Sequence, residues 1–118
     1  MKNLKTKLML IVLGFIVLTS FTKTKSTTVS ATWYDRHGAL TASGVRMHRD
    51  SATCAYNALP MGTKLLITNI ENNKQCVAII TDRMGNKAPN IIDLSYKTFG
   101  NLAKHRQGVI KVRISRLN

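Results

Sequence analysis

Acidic side chains are what this chain has least of. Its 118 residues include five Asp and Glu against 18 Lys and Arg, a formal net charge of +13. Such a balance attracts a polyanion (nucleic acid, an anionic membrane surface or an acidic envelope polymer), with a merely solubilising surface charge as the alternative. Aromatic residues make up only 6% and the basic residues are scattered, so the interleaved pattern of a single-strand nucleic-acid binder is missing. The three histidines (His37, His48, His105) and two cysteines show neither HxxxH nor CxxC spacing, which argues against a zinc site. No metal or cofactor is expected. With two prolines, seven glycines and no internal repeat, the chain does not read as low-complexity.

Long apolar runs are also lacking, with one exception. Residues 8–18 are continuously apolar and follow Lys2, Lys5 and Lys7. That length suits the core of a signal peptide and falls short of the ~20 residues of an ordinary membrane span. Residues 1–22 therefore read as a signal peptide. An uncleaved anchor is the alternative, because Thr19-Ser20-Phe21-Thr22 holds no A-x-A cleavage site. No cysteine follows the apolar run, which excludes a lipoprotein. The destination is the periplasm, the envelope or the medium, and export argues against nucleic acid as partner. Residues 23–30 read as a disordered polar lead, and 31–118 as one small domain, expected to be a monomer.

In an oxidising compartment an even cysteine count favours a disulfide between Cys54 and Cys76. It would contribute roughly 3 kcal/mol if unstrained. Two buried free thiols are the alternative.

The domain reads as mainly β. Strand patterns cover 28–34, 63–69, 75–81, 91–94 and 108–117, with a hairpin expected at 71–74. One helix is expected over 95–104, with Ser95 as N-cap, Phe99, Leu102 and Ala103 on one face, and Lys104 and His105 at its C-terminal dipole. Several short strands and one helix in about 90 residues suggest a small closed barrel or a sandwich.

Asp82 stands out. It ends the most β-branched run of the chain and opens into Arg83-Met84-Gly85-Asn86, a loop by composition. A carboxylate at such a junction can be partly desolvated and so suited to proton transfer. A plain turn aspartate is the alternative. Asp93 is the other candidate acid, but it reads first as structural, placed to accept backbone N–H bonds just before the helix.

Five motifs then occur in order: Ala31-Thr32-Trp33-Tyr34, Leu40-Thr41-Ala42-Ser43-Gly44, Ala58-Leu59-Pro60-Met61-Gly62-Thr63, Thr81-Asp82-Arg83 and Ile91-Ile92-Asp93-Leu94-Ser95. Together they resemble the rare lipoprotein A family, related in fold to expansins and barwin-like proteins, over essentially the whole of 32–117. The resemblance implies a six-stranded double-psi β-barrel with one short helix and a glycan groove. It also implies endolytic peptidoglycan transglycosylase activity, leaving 1,6-anhydro ends. One aspartate serves there as acid and base, and by motif match it is Asp82, with Tyr56 assisting. Tyr34, Thr41, Ser43, Asn57 and Arg83 are the expected substrate contacts, and Asp93, Cys54 and Cys76 are structural. Trp33 is expected in the core. The partner is then peptidoglycan glycan or another anionic envelope polymer. The chain departs from the family pattern at Val45, usually glutamate, at Tyr56, usually histidine, and at Met84, usually glycine. A non-catalytic wall-binding or wall-loosening module is the alternative function, and a barwin-like inhibitor a third.

Overall fold

The computed structural model describes residues 25–85 and 90–118. The expected signal peptide and the start of the polar lead lie outside those residues. Six strands, β1 (Ser26–Tyr34), β2 (Thr53–Ala55), β3 (Lys64–Asn69), β4 (Gln75–Asp82), β5 (Ile91–Ser95) and β6 (Ile110–Arg116), form a closed barrel in the order β1-β5-β2-β4-β3-β6. Its pairing is mixed: β1 runs parallel to β5 and β2 parallel to β4, and the other neighbours are antiparallel. This is the double-psi barrel that the motifs implied.

Period-two alternation builds the interior. Val29 and Ala31, Leu65 and Ile67, Ala78 and Ile80, Ile92 and Leu94, and Ile110, Val112 and Ile114 all point inward and are almost fully buried. On β6 the intervening Lys111 and Arg113 are exposed, as the alternation of that segment required. Leu117 falls beyond the strand and is exposed.

The one α-helix among the described residues, α1 (Tyr96–Leu102), packs Phe99 and Leu102 onto this core. Ser95 caps it as expected, its Oγ accepting from the Thr98 amide at 3.4 Å and donating to the Ser51 carbonyl at 2.6 Å. The helix is shorter than the pattern predicts. The Leu102 carbonyl is taken by the side-chain amides of Asn69 and Asn72, both at 2.9 Å, and Ala103 is extended. Lys104 and His105 therefore sit beyond the helix rather than in its last turn. His105 opens a 3-10 turn, His105–Gln107, and folds back so that its ring stacks on Tyr96 at 3.8 Å.

Three further expectations need correction. The polar segment is not disordered from Ser26 onward: Ser26–Ala31 pairs with Ile110–Ser115 and closes the barrel. Strand β2 was not read from the sequence. It has three residues, too few for a pattern, and is held by β4 and β5 on either side. Finally, both cysteines are free. Cys54 is in register with Ile80, while Cys76 lies four residues further along β4, roughly 13 Å of strand and about twice what a disulfide spans. Each thiol instead points at a carbonyl, Cys54 at Ile79 and Cys76 at Thr98, both at 3.7 Å.

Candidate active site

The site begins at Ala55. In the barrel order β2 lies between β5 and β4, and Ala55 is the register partner of Asp93 on one side and of Asp82 on the other. Two inter-strand spacings separate the aspartates, about 10 Å between Cα atoms. Ala55 on β2 lies between them in the sheet. Both carboxylates line one open groove of about 610 Å³, with Ala55 beside them. Trp33, Tyr34 and Arg36 line it from β1 and the loop after it, and Arg83 and Met84 from the loop after β4.

Asp82 is fixed by main chain. Its Oδ1 accepts from the Ala42 amide at 3.0 Å and from the Arg83 amide at 2.9 Å. The 40–46 loop that brings Ala42 there is anchored by the Ser43 amide on the Thr81 carbonyl, 3.1 Å away. Within that loop the Thr41 and Ser43 hydroxyls bond each other at 2.9 Å, and the Thr41 hydroxyl also bonds the Val45 carbonyl. Their side chains thus build the turn, and the backbone of Ala42 between them meets Asp82. Val45 is 58% exposed on the same loop.

Asp93 does not cap the helix. Its Oδ1 accepts from the Thr32 hydroxyl at 2.8 Å, across the β1–β5 register pair Thr32–Asp93. Burial pushes its carboxyl above the usual range. The Thr32 hydrogen bond and nearby Arg36 oppose that shift, while Asp82 adds to it. Tyr34 is buried at the groove wall, its hydroxyl 3.4 Å from that of Thr53, and burial pushes its pKa up to about 12. It is a neutral donor at any physiological pH.

The remaining predicted residues divide. Arg83 lines the groove but aims its guanidinium at the carbonyls of Tyr56 and Leu59, the second at 2.8 Å. Asn57 grips Met84 at both ends, Nδ2 to the carbonyl at 2.9 Å and the amide to Oδ1 at 2.8 Å, so it holds the loop after Asp82 instead of facing the groove. Tyr56 is 3% exposed within the core. Its ring borders a separate cleft with Leu59, Leu65 and Ile114. It reaches Asp82 only through the backbone, the Tyr56 amide donating to the Asp82 carbonyl at 3.1 Å. Trp33 is half-buried, packed on the core and also lining the groove, with Nε1 donating to the His105 carbonyl at 2.9 Å. In the sequence Asp93 ranks as structural ahead of acid, and both its place in the groove and its Thr32 partner were missed. Both residues stand in recognised motifs, but only the pairing of β1 with β5 brings them together.

The groove thus brings two carboxylates to one lining, and burial raises that of Asp93 above its usual range. Comparisons with known proteins show the family. Residues 26–114 match the family model described as lytic transglycolase. The chain is similar to the endolytic peptidoglycan transglycosylase RlpA of Rickettsia felis, 38% identical over 81% of this chain and 44% of that protein. It is likewise similar to RlpA of Rickettsia prowazekii, 40% identical over 74% of this chain and 29% of that protein. The chain thus spans less than half the length of these curated relatives. Among solved structures, a Streptomyces papain inhibitor superposes with TM-score 0.68 at 20% identity, over 80% of this chain and 96% of that one. An expansin from Clavibacter michiganensis superposes with TM-score 0.66 at 20% identity, over 80% of this chain and 51% of that one. A mutant of that expansin in complex with cellohexaose gives TM-score 0.65 at 19% identity, again over 80% and 51%. These likenesses in structure concern the fold alone. The matched residues run from the first strand to the last, and on that ground the chain belongs to the lytic transglycolase family of double-psi β-barrels.

Proposed function

We propose that the protein is an exported endolytic peptidoglycan transglycosylase in which Asp93 and Asp82 divide the proton transfers. The observation that carries this reading is the pair of carboxylates flanking Ala55, with the Asp93 carboxyl raised by burial. Two carboxyl groups whose surroundings differ are suited to opposite roles. Asp93, holding its proton, gives it to the glycosidic oxygen as the C1–O4 bond breaks. Asp82, its Oδ1 held by two amides, takes the proton of the sugar's own 6-hydroxyl as the C1–O6 bond forms. The 1,6-anhydro end results, and no water is consumed. The family resemblance implies both roles for Asp82 alone; the second carboxylate across Ala55 supports dividing them. Tyr56 then contributes through its main chain, and Tyr34 offers a neutral hydroxyl to the substrate.

The second reading is a glycan-binding module without turnover. It is favoured by Val45 and Tyr56, since the first can move no proton and the ring of the second is turned into the core. Incubating the purified protein with peptidoglycan sacculi and analysing soluble products by mass spectrometry decides between them. Anhydro-muropeptides released by the wild type, and reduced about a hundredfold or more in Asp82→Asn and in Asp93→Asn, support the enzyme. Sacculus binding without release by the wild type sinks it.

A further inference from the structure

A second cleft, of about 660 Å³, lies between the β3–β4 turn and the segment after α1. Lys74, Lys104 and Arg106 line it together with Asn72, His105 and Gln107, and no carboxylate does. The nearest acid in sequence is Glu71, and among the described residues the only ion pair is Arg49 with Asp35, at 3.3 Å. Three cations therefore share one concavity without a carboxylate partner.

These cations are not there to cap the helix. The Phe99 carbonyl already accepts from the Ala103 amide and the Leu102 carbonyl from Asn69 and Asn72. The Lys104 carbonyl accepts from the Gln107 amide, and the His105 carbonyl from Trp33 and from the Gly108 amide. The ammonium and guanidinium groups are left for something outside the chain.

From this we infer that the cleft is a binding site for a phosphodiester polymer that carries no bases, separate from the groove that holds Asp82 and Asp93. Two lysines act as point charges and Arg106 as a fork, a set that matches phosphate oxygens. The lining carries no exposed aromatic platform: the His105 ring is engaged by Tyr96, and Gly100 and Ala103 are the small neighbours. Bases would find nothing to stack on, which disfavours single-stranded nucleic acid. Charges spread along an open cleft suit a repeating anion better than a single one.

The test uses the full chain and fluorescently labelled poly(glycerol phosphate), followed by anisotropy. Lys74→Gln/Lys104→Gln/Arg106→Gln is expected to weaken binding about tenfold or more, through loss of three charge-assisted contacts. Lys64→Gln/Lys111→Gln/Arg113→Gln, which removes equal charge from the β3–β6 outer face, is expected to weaken it less than about threefold. Asp82→Asn should bind as the wild type does, so the outcome is independent of the transglycosylase reading. Equal losses in the two triple variants overturn the site, leaving net charge as the cause. Poly-L-glutamate or single-stranded DNA competing as well as the phosphate polymer overturns the ligand class. Inorganic phosphate competing as well, per phosphate, overturns the requirement for a polymer.

Discussion

Asp93 lines the groove and accepts from Thr32, a departure from its expected place at the helix start. Burial raises its carboxyl pKa, so the folded protein holds that proton more tightly than the unfolded chain does. The stabilisation linked to that proton is complete below the unfolded carboxyl pKa and is lost as pH rises through the raised value. Replacing Asp93 with Asn removes an ionisable group and keeps an acceptor for Thr32. Compared with the wild type, Asp93→Asn should therefore gain thermal stability at pH 7 relative to pH 4, read as the difference in Tm between the two. The same residue should set the alkaline limb of the sacculus-digestion rate, which falls as the acid loses its proton. A limb unmoved by Thr32→Val, which removes the hydrogen bond that opposes the raised pKa, would remove Asp93 from the acid role. The thiols make a complementary case. Burial pushes Cys54 up to about 12 and Cys76 up to about 11, so neither is a thiolate near neutrality. Native protein should react with no equivalent of a thiol reagent within minutes and denatured protein with two, while reductant should leave Tm unchanged. The cysteine count invited a bridge, but compartment and parity say nothing of the register that keeps the two apart.

Helix α1 illustrates how far local pattern reaches. Its start was legible because a cap is a local device: Ser95 and Thr98 are three residues apart and meet within one turn. Its end was not, because Asn69 and Asn72 approach the Leu102 carbonyl from another hairpin. Strand β2 was invisible for a similar reason, its three residues being strand only by virtue of their neighbours. Gly100 shows what the fold demands of one helical position. A Cβ there would stand 2.8 Å from the His105 ring, which is also stacked on Tyr96 and bonded at 2.7 Å to the Tyr96 carbonyl. Alanine gains about 1 kcal/mol in helix propensity over glycine, but overpacking a held ring costs about 1–3 kcal/mol. Overpacking wins. Gly100→Ala should be net destabilising by about 1 kcal/mol in urea denaturation, and a stabilised variant would mean that the His105 ring moves freely.

At the scale of the whole molecule the barrel closes through its first strand. The motif order made the fold and Asp82 legible, since motifs survive as sequence. The groove's other wall was hidden, because it arises from β1 lying beside β5, a pairing of residues about sixty positions apart. The domain boundary read at residue 31 also fell short, since polar Ser and Thr at 26–30 look like a linker until β6 is set beside them. Ser26 through Ala31 pairs with β6, and Val29 within it is buried. A chain beginning at residue 31 loses that ladder and leaves much of β6 an open edge. Burial of one valine contributes about 1.5–3 kcal/mol, and each ladder hydrogen bond about 0.5–1.5 kcal/mol. Their sum rivals the roughly 5–15 kcal/mol that holds a domain together. Protein starting at residue 25 should therefore unfold cooperatively by circular dichroism, whereas protein starting at residue 31 should lack a cooperative transition or aggregate. A cooperative transition in the shorter protein, within a few degrees of the longer one, would mean that β5, β2, β4, β3 and β6 hold together without closure, and that Trp33 and Tyr34 in the groove wall need no support from the residues before them.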